Sequence, residues 1–222
     1  MHIHIQRCLL GKKDWHGTCL GMPERQETVP RYGGETMSSH IEYEINKELG
    51  ECYLFMGDYE RAEDYYKKAA SNTDSHSDPY LGLATIAMQR SDYPTAMLLY
   101  QKATAIQSSD KSLTGMGLIE METGMHDDAF EHFRQALALN PGNLIAVNGL
   151  MREGYQLKRL DEVVGFMKKF LDVMPEKDGV RFSLAGCLIM LDRKAEARAE
   201  LEHIIKNSPD FTEAHELYAL AS

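Results

Sequence analysis

The chain has 222 residues, of which 43% are hydrophobic, and a formal net charge of −10. Its first 36 residues carry five basic and four acidic side chains, so the acidic excess lies in the remainder of the chain. An acidic body repels phosphate groups, which excludes nucleic acid as an expected partner and disfavours anionic membrane surfaces.

Residues 1–36 differ in composition from the rest of the chain. They contain Pro23, Pro30 and the pair Gly33-Gly34, and they show no helical or strand period. The repetitive sequence begins shortly after Met37, where two serines could cap a first helix. We therefore expect residues 1–36 to be a disordered arm, or upstream sequence that is absent from the native protein, and residues 37–222 to form the folded domain.

The same N-terminal region holds the main cluster of metal-ligand residue types. It consists of His2, His4, Cys8, His16 and Cys19. Their spacing matches no tight zinc pattern, and the gap between the two cysteines is too wide for a zinc knuckle. We expect no bound metal and no cofactor.

Beyond residue 43 the dominant feature is an internal repeat. An alanine, replaced by valine in one copy, recurs at spacings of 34, 33, 34 and 34 residues, and a large residue follows each copy four positions later. The first set is Ala62, Ala96, Ala129, Val163 and Ala197, and the second is Tyr66, Tyr100, Phe133, Met167 and Leu201. A period near 34 residues predicts stacked helical hairpins.

The predicted fold is an all-α solenoid of five helical hairpins with a C-terminal partial or capping helix. The predicted units are 43–76, 77–109, 110–143, 144–177 and 178–211, and the capping helix spans 212–222. The large residues should fill the gaps between successive hairpins, where burial contributes roughly 1.5–3 kcal/mol each. Small residues that face each other within a unit, such as Gly50 and Ala62, should let the two helix axes approach closely.

Two units depart from this pattern. In the fourth unit, Met151, Val163 and Phe170 stand where smaller residues are usual. This substitution indicates either a splayed hairpin or a compensated packing swap within an ordinary hairpin. In the third unit, Glu120 replaces an apolar residue, so the first helix of that unit could be shifted.

These positions resemble the tetratricopeptide repeat. That family has a small residue at position 8 of each unit, alanine at 20, a large residue at 24, alanine at 27 and proline at 32. In the first unit, Gly50, Tyr53, Gly57, Ala62 and Tyr66 match the pattern, and the resemblance extends over residues 43–211. The resemblance implies a hairpin solenoid and a role in binding other proteins.

The resemblance also implies that the first helix of each unit lines a concave face along which a ligand lies. Carried over by unit position, the candidate partner-binding residues are Lys47, Glu51, Leu81, Met88, Leu118, Met121, Asn148, Arg152, Tyr155, Phe182 and Ile189. The same register includes Leu54, Asp78, Thr85 and Lys111. Exposed apolar side chains on such a wall would suit an apolar peptide or an amphipathic helix. The alternative is that a capping helix or a second copy of the protein covers this wall.

One polar cluster lies in the fourth unit. Asn148, Arg152 and Tyr155 are spaced i, i+4 and i+7, so they share one helical face. They could bind a carboxylate through charge-assisted hydrogen bonds, or Arg152 could pair with a neighbouring acid on a solvated face. Some similar proteins hold the C-terminal carboxylate of a chaperone in a clamp of lysine, asparagine and arginine side chains. Lys47 and Lys111 fit this clamp, but Glu51, Gly82 and Gly115 occupy the other positions, so we do not expect chaperone-tail docking here.

The predicted function is that of a protein–protein interaction scaffold or adaptor, which binds a peptide or helix of a partner protein in its concave groove. Two alternatives stay open: a dedicated chaperone for secreted or assembling subunits, and a self-assembling structural protein that would form homo-oligomers. The sequence contains no nucleophile elbow, phosphate loop or zinc-protease motif, so we do not expect an enzyme.

The cellular location is predicted from three features of the sequence. We recognise no run of 18 apolar residues and no signal peptide, and Cys52 and Cys187 fall within predicted helices of different units, as reduced thiols do. We therefore expect no membrane insertion and a cytoplasmic location.

Overall fold

The computed structural model describes residues 39–72 and 75–221 of the chain. Within these residues the regular structure consists of eleven α-helices and no β-strand. The predictions for residues 1–36 lie outside the described residues. The helices are α1 (Ser39–Phe55), α2 (Tyr59–Asn72), α3 (Asp78–Gln89), α4 (Tyr93–Ile106), α5 (Asp110–Thr123), α6 (His126–Leu139), α7 (Leu144–Gln156), α8 (Leu160–Val173), α9 (Asp178–Met190), α10 (Lys194–Asn207) and α11 (Thr212–Leu220).

Consecutive helices pair into five hairpins, α1–α2, α3–α4, α5–α6, α7–α8 and α9–α10. Each hairpin also packs against the next one, and α11 packs against α10. The repeating alanines and the valine that replaces one of them have no exposed surface, because they lie where the two helices of a hairpin meet. The prediction of an all-α solenoid of five hairpins with a C-terminal capping helix is confirmed.

Polar side chains cap the N-termini of several of these helices. Asp92 accepts a hydrogen bond from the Thr95 backbone N–H at 3.3 Å, and Asn143 accepts one from Ala146 at 2.9 Å. Ser109 begins α5 with a reciprocal capping box. Each cap satisfies a backbone donor that the helix itself leaves unpaired, so these residues fix where the helices start.

A tight turn joins the two helices of each hairpin, and one residue in each turn has a left-handed backbone. Glycine provides this conformation in the first and third turns, with φ of 77° at Gly57 and 79° at Gly124. Ser91, Lys158 and Asp192 take the equivalent place in the other three turns, with φ of 58° to 59°. A left-handed residue that is not glycine costs roughly 1–2 kcal/mol, so the packing of the hairpins enforces the turn.

Aromatic rings fill the spaces between the first four hairpins. The ring of Tyr66 lies between Gly50 of its own hairpin and Gly82 of the next one. Tyr100 lies against Gly115 of the third hairpin in the same way. A Cβ atom at Gly82 or Gly115 would overlap the ring, so these glycines provide room for the ring rather than flexibility. The large residues therefore fill the gaps between successive hairpins, as predicted.

The fourth hairpin is more open than the others. The backbones of α7 and α8 make less contact than those of any other helix pair within a hairpin. Val163 and Phe170 are fully buried on α8, at positions where most other units have alanine. Gly154 packs tightly on Val163, since a Cβ atom there would overlap the valine side chain. The larger side chains thus lie within a hairpin whose helices make less contact, and the choice between a splayed hairpin and a compensated packing swap stays a prediction.

The first helices of the hairpins form the inner wall of the stack. Backbone contacts link α1 to α3, α3 to α5 and α5 to α7, whereas the second helices have little or no such contact with one another. A stack curves toward the side on which its helices lie closer together. The concave side is therefore lined by α1, α3, α5 and α7, and the wall is looser between α7 and α9.

Candidate functional site

A cleft of about 300 Å³ opens on the inner wall of the first three hairpins. Helix α1 contributes Glu51 and Leu54, α3 contributes Asp78, Leu81, Gly82 and Thr85, and α5 contributes Lys111. The rings of Tyr66 and Tyr100, which come from α2 and α4, complete the lining. The cleft is thus a small polar depression with an aromatic floor.

Helix periodicity explains why these side chains converge. Asp78, Leu81 and Thr85 are spaced i, i+3 and i+7, so they line one face of α3. Tyr66 reaches the same cleft from α2, because Gly82 has no side chain and the ring packs directly against that position of α3. Tyr100 reaches it past Gly115 in the same manner.

The two tyrosine hydroxyls differ in their hydrogen bonding. The Tyr100 hydroxyl lies 3.5 Å from Thr85 Oγ1. The Tyr66 hydroxyl has no hydrogen-bond partner among the described residues, although the side chain is only 3% exposed. Burial raises the pKa of both tyrosines, and the charges of Glu51 and Asp78 raise the pKa of Tyr66 further. Both hydroxyls are therefore neutral at physiological pH.

The charged groups of the cleft are two carboxylates and one ammonium group. Burial, followed by the neighbouring Glu48, raises the pKa of Glu51. Neither Glu51 nor Lys111 takes part in an ion pair within the described part of the chain. Asp78 accepts a long hydrogen bond of 3.4 Å from the Tyr43 hydroxyl. The cleft therefore has acidic groups whose bonding capacity is largely unused.

Lys47, another predicted site residue, is already paired within α1. Its ammonium group lies 2.8 Å from a Glu44 oxygen and 3.6 Å from a Glu48 oxygen. The hydrogen bond to Glu44 raises the pKa of Lys47. The charge of Lys47 is therefore balanced by carboxylates of its own helix, and Lys47 does not line the cleft.

The apolar site candidates are half-buried rather than fully exposed. Leu81, Met88, Leu118, Met121, Phe182 and Ile189 all pack partly against the core. The ring of Phe182 lies 5.3 Å from the ring of Phe211, which immediately precedes α11. The C-terminal part of the inner wall is thus partly covered by the end of the chain itself.

The polar candidates on α7 lie on its exposed face. Arg152 and Tyr155 are 65% and 60% exposed, and Asn148 is exposed beside them. The Arg152 guanidinium is 4.0 Å from carboxylate oxygens of both Glu122 and Glu153, at the limit of an ion pair. These contacts leave the three side chains accessible, one turn apart from each other along the helix.

Two histidine–glutamate contacts, each with a buried glutamate, join α6 to its neighbours. Glu120 on α5 lies 2.6 Å from His132 Nδ1, and Glu153 on α7 lies 2.6 Å from His126 Nδ1. Glu120 is thus buried by pairing with a histidine of the second helix, which explains how an acid occupies an apolar position of the repeat.

The hydroxyls of Tyr66 and Tyr100 are site groups that the repeat pattern does not predict, because the pattern indicates only a packing role for both rings. The sequence signal for this is the glycine at positions 82 and 115, against which the ring from the preceding unit packs. The described residues contain no cluster of three or more histidine, cysteine or acidic side chains arranged to hold a metal ion. Among the described helices, none is long and apolar enough to span a bilayer.

The fold and the inner-wall cleft define the class of the protein as a helical-hairpin solenoid. Three tetratricopeptide-repeat family models match residues 48–111, 111–143 and 154–221 of the chain. Together these matches extend over most of the hairpins described above. The chain belongs to the tetratricopeptide-repeat family.

The chain is similar to parts of much longer curated proteins. It is 29% identical over 125 residues to the BBSome complex member BBS4 of Bos taurus, covering 56% of this chain and 24% of that protein. It is 30% identical over 103 residues to anaphase-promoting complex subunit 3 of Schizosaccharomyces pombe, covering 46% of this chain and 15% of that protein. The chain thus spans a quarter or less of the length of these relatives.

Solved structures of other repeat proteins share the fold. PilF of Pseudomonas aeruginosa superposes with a TM-score of 0.65 at 19% identity, covering 83% of this chain and 90% of that chain. YrrB, described as a repeat protein with an unusual peptide-binding site, superposes with a TM-score of 0.58 at 18% identity. The match covers 81% of this chain and 97% of the YrrB chain. At these identities the likeness shows the fold alone.

Proposed function

We propose that this protein is an interaction scaffold or adaptor that binds a peptide or helix of a partner protein in its concave groove. The cleft between α1, α3 and α5 is the observation that carries the proposal. It combines a concave position, partly buried leucines and polar groups with spare hydrogen-bonding capacity. Such a combination of an apolar lining and a few placed polar groups is characteristic of ligand sites.

The mechanism is capture by a wall that is formed in advance. The hairpins are fixed by buried residues, so the inner wall needs little ordering when a ligand arrives, and the ligand supplies most of the entropic cost. A peptide that extends from the cleft along the first helices would next meet the exposed face of α7, which presents Asn148, Arg152 and Tyr155.

The comparisons support a role in binding proteins. Tetratricopeptide-repeat proteins generally mediate protein–protein interactions, and two of the relatives are named as members of multi-subunit complexes. A protein with a similar fold is described as having a peptide-binding site. As part of the same proposal, the protein acts in the cytoplasm as a binding protein rather than an enzyme.

The proposal is tested by affinity purification of the tagged chain from cells of its source, with quantitative mass spectrometry of the bound proteins. Leu81→Arg fills the cleft with a long charged side chain, and Arg152→Glu reverses the charge on the exposed face of α7. We expect each variant to lose at least one partner that the wild-type chain retains.

Two matched controls separate the inner wall from general changes of surface. Leu98→Arg places the same substitution at a leucine of α4 that is 67% exposed, and Lys194→Glu makes the same charge change as Arg152→Glu at an exposed residue of α10. Both controls should keep every partner. Circular dichroism checks that all variants are folded. Retention of every partner by both inner-wall variants would contradict the proposal.

A further inference from the structure

We propose that the cleft between α1, α3 and α5 binds a basic side chain, lysine or arginine, of the ligand peptide. This inference rests on the proposed function and specifies the chemistry of the ligand. Its basis is the placement of Glu51, Asp78 and the Tyr66 hydroxyl around one small cavity.

The charge of the cleft favours a cation. Glu51 and Asp78 provide two carboxylates, whereas Lys111 is the single basic residue of the lining. Glu51 has no ion-pair partner within the described residues, and the one hydrogen bond to Asp78 comes from a neutral hydroxyl at 3.4 Å. Two carboxylates with free acceptor sites attract a basic side chain and repel an acidic one.

The Tyr66 hydroxyl is the second, independent sign of a ligand. The Tyr66 side chain is only 3% exposed, and its ring is held between Gly50 and Gly82. Its hydroxyl has no hydrogen-bond partner among the described residues and is accessible from the cleft. A hydroxyl oxygen accepts a hydrogen bond from an ammonium or guanidinium N–H, so a basic ligand group would satisfy it.

The size of the cleft fits one side chain rather than a whole peptide. A volume of about 300 Å³ lies at the lower end of the range for small-molecule sites, which is roughly 300–1,000 Å³. Leu54 and Leu81 flank the polar groups, so they would pack along the aliphatic stem of a lysine or arginine while its head reaches the carboxylates. The cleft therefore selects one anchoring residue, and the remainder of the wall accommodates the rest of the segment.

The first step of the test is a selection of randomised twelve-residue peptides, blocked at both ends, on the purified chain. Peptides that bind should be enriched in lysine or arginine at one position. The best peptide is then synthesised with its basic residue as arginine and as citrulline, which has nearly the same shape but no charge. Fluorescence anisotropy at physiological salt should show at least tenfold weaker binding of the citrulline peptide to the wild-type chain.

The second step assigns this preference to the cleft. The double variant Glu51→Gln/Asp78→Asn should bind the arginine and citrulline peptides with affinities within about twofold of each other. Tyr66→Phe removes only the unpaired hydroxyl and keeps the packed ring, so it should weaken binding of the arginine peptide about three- to tenfold. Tyr218→Phe is its matched control, because it removes a tyrosine hydroxyl on α11 that bonds with Arg198 and lies outside the cleft, and it should change binding less than twofold.

A charge control excludes general attraction between an acidic protein and a basic peptide. Asp172→Asn/Glu216→Gln removes the same charge from exposed positions on α8 and α11 and should keep the preference for arginine. Three results would overturn the inference: an equal loss of preference in this control, selected peptides without a basic residue, or equal binding of the arginine and citrulline peptides to the wild-type chain. If the selected peptides lack a basic residue, or if the two peptides bind equally, the chain still binds peptides and the proposed function stands. Failure of the wild-type chain to bind any peptide or partner would overturn both.

Discussion

At the scale of single residues, Tyr43 is the most fully enclosed ionisable group of the first hairpin. Its side chain is 1% exposed, its ring stacks on His76 at 4.2 Å, and its hydroxyl donates to Asp78. Burial and then the charge of Asp78 raise the pKa of Tyr43 to about 12. Because the unfolded chain releases this proton near pH 10, folding becomes coupled to pH in the alkaline range.

The resulting prediction concerns Tyr43→Phe. The contribution of Tyr43 is fully present below pH 10 and is lost as the pH rises from 10 to 12, since the neutral phenol is the form that the fold accepts. At pH 11 the loss is about 1 kcal/mol, and the phenylalanine variant should lack it. Urea unfolding at pH 8 and pH 11 measures the difference. An equal loss in both proteins would mean that Tyr43 does not titrate in this way.

The pair of Glu153 and His126 gives a second prediction at this scale. Glu153 is 1% exposed and depends on His126 for its close contact, so His126→Ala should lower the free energy of unfolding by about 2 kcal/mol. Replacing both residues, as His126→Ala/Glu153→Leu, removes the buried carboxyl group together with its partner and should restore most of that loss. Urea unfolding of the two single variants and the double variant forms a mutant cycle. Additive effects would show that the two side chains do not interact.

At the scale of helices and hairpins, the sequence predicted most of what the structure contains. The spacing of Ala62, Ala96 and Ala129 marks the crossing of two helices, because only a small side chain fits there, and that constraint is local enough to be visible in the sequence. The cleft was less predictable. Its lining depends on how far Tyr66 extends into the next hairpin, which is a property of two units packed together and not of either repeat alone.

The packing of the fourth hairpin was also only partly predictable from the sequence. Val163 and Phe170 were recognisable as oversized residues, but two outcomes were compatible with them, repacking in place or separation of the helices. In the structure Gly154 of α7 lies against Val163 of α8, one turn beyond Met151, which stands at the usual crossing position. This contact depends on how the two helices pack, so the sequence of either helix alone does not show it.

The glycines beside the tyrosine rings give a prediction at this scale. Gly82→Ala adds a Cβ atom that overlaps the Tyr66 ring, so it should lower the free energy of unfolding by about 1–3 kcal/mol. Gly165→Ala on α8 is the matched control, because a Cβ atom there meets nothing within 4 Å. That variant should raise stability by about 0.5–1 kcal/mol, as expected for alanine in a helix interior. Thermal unfolding followed by circular dichroism measures both, and a loss at Gly165 as large as that at Gly82 would contradict the packing argument.

At the scale of the whole molecule, the hairpins form a line in which each unit packs mainly on its neighbours. Stability in such an array is roughly a sum of units and of the interfaces between them. The inner wall that we propose as the binding surface crosses several of these interfaces, so its geometry depends on how well successive hairpins hold together. The C-terminal end is closed by α11, whose Ala214 is fully buried and whose Tyr218 accepts a hydrogen bond from Arg198.

The last prediction tests this linear arrangement by removing residues 211–222. Deletion takes away α11 and the Phe211 ring that covers Phe182, so amide hydrogen exchange should become faster in α9 and α10. Exchange in α1 to α4 should stay unchanged, because α11 packs mainly on α10 and not on those helices. Hydrogen exchange measured by mass spectrometry resolves the two regions within one experiment. Leu220→Ser is the control, since Leu220 is 76% exposed and its replacement leaves the buried face of α11 in place. Acceleration spread evenly over all five hairpins would show instead that the domain unfolds as a single cooperative unit.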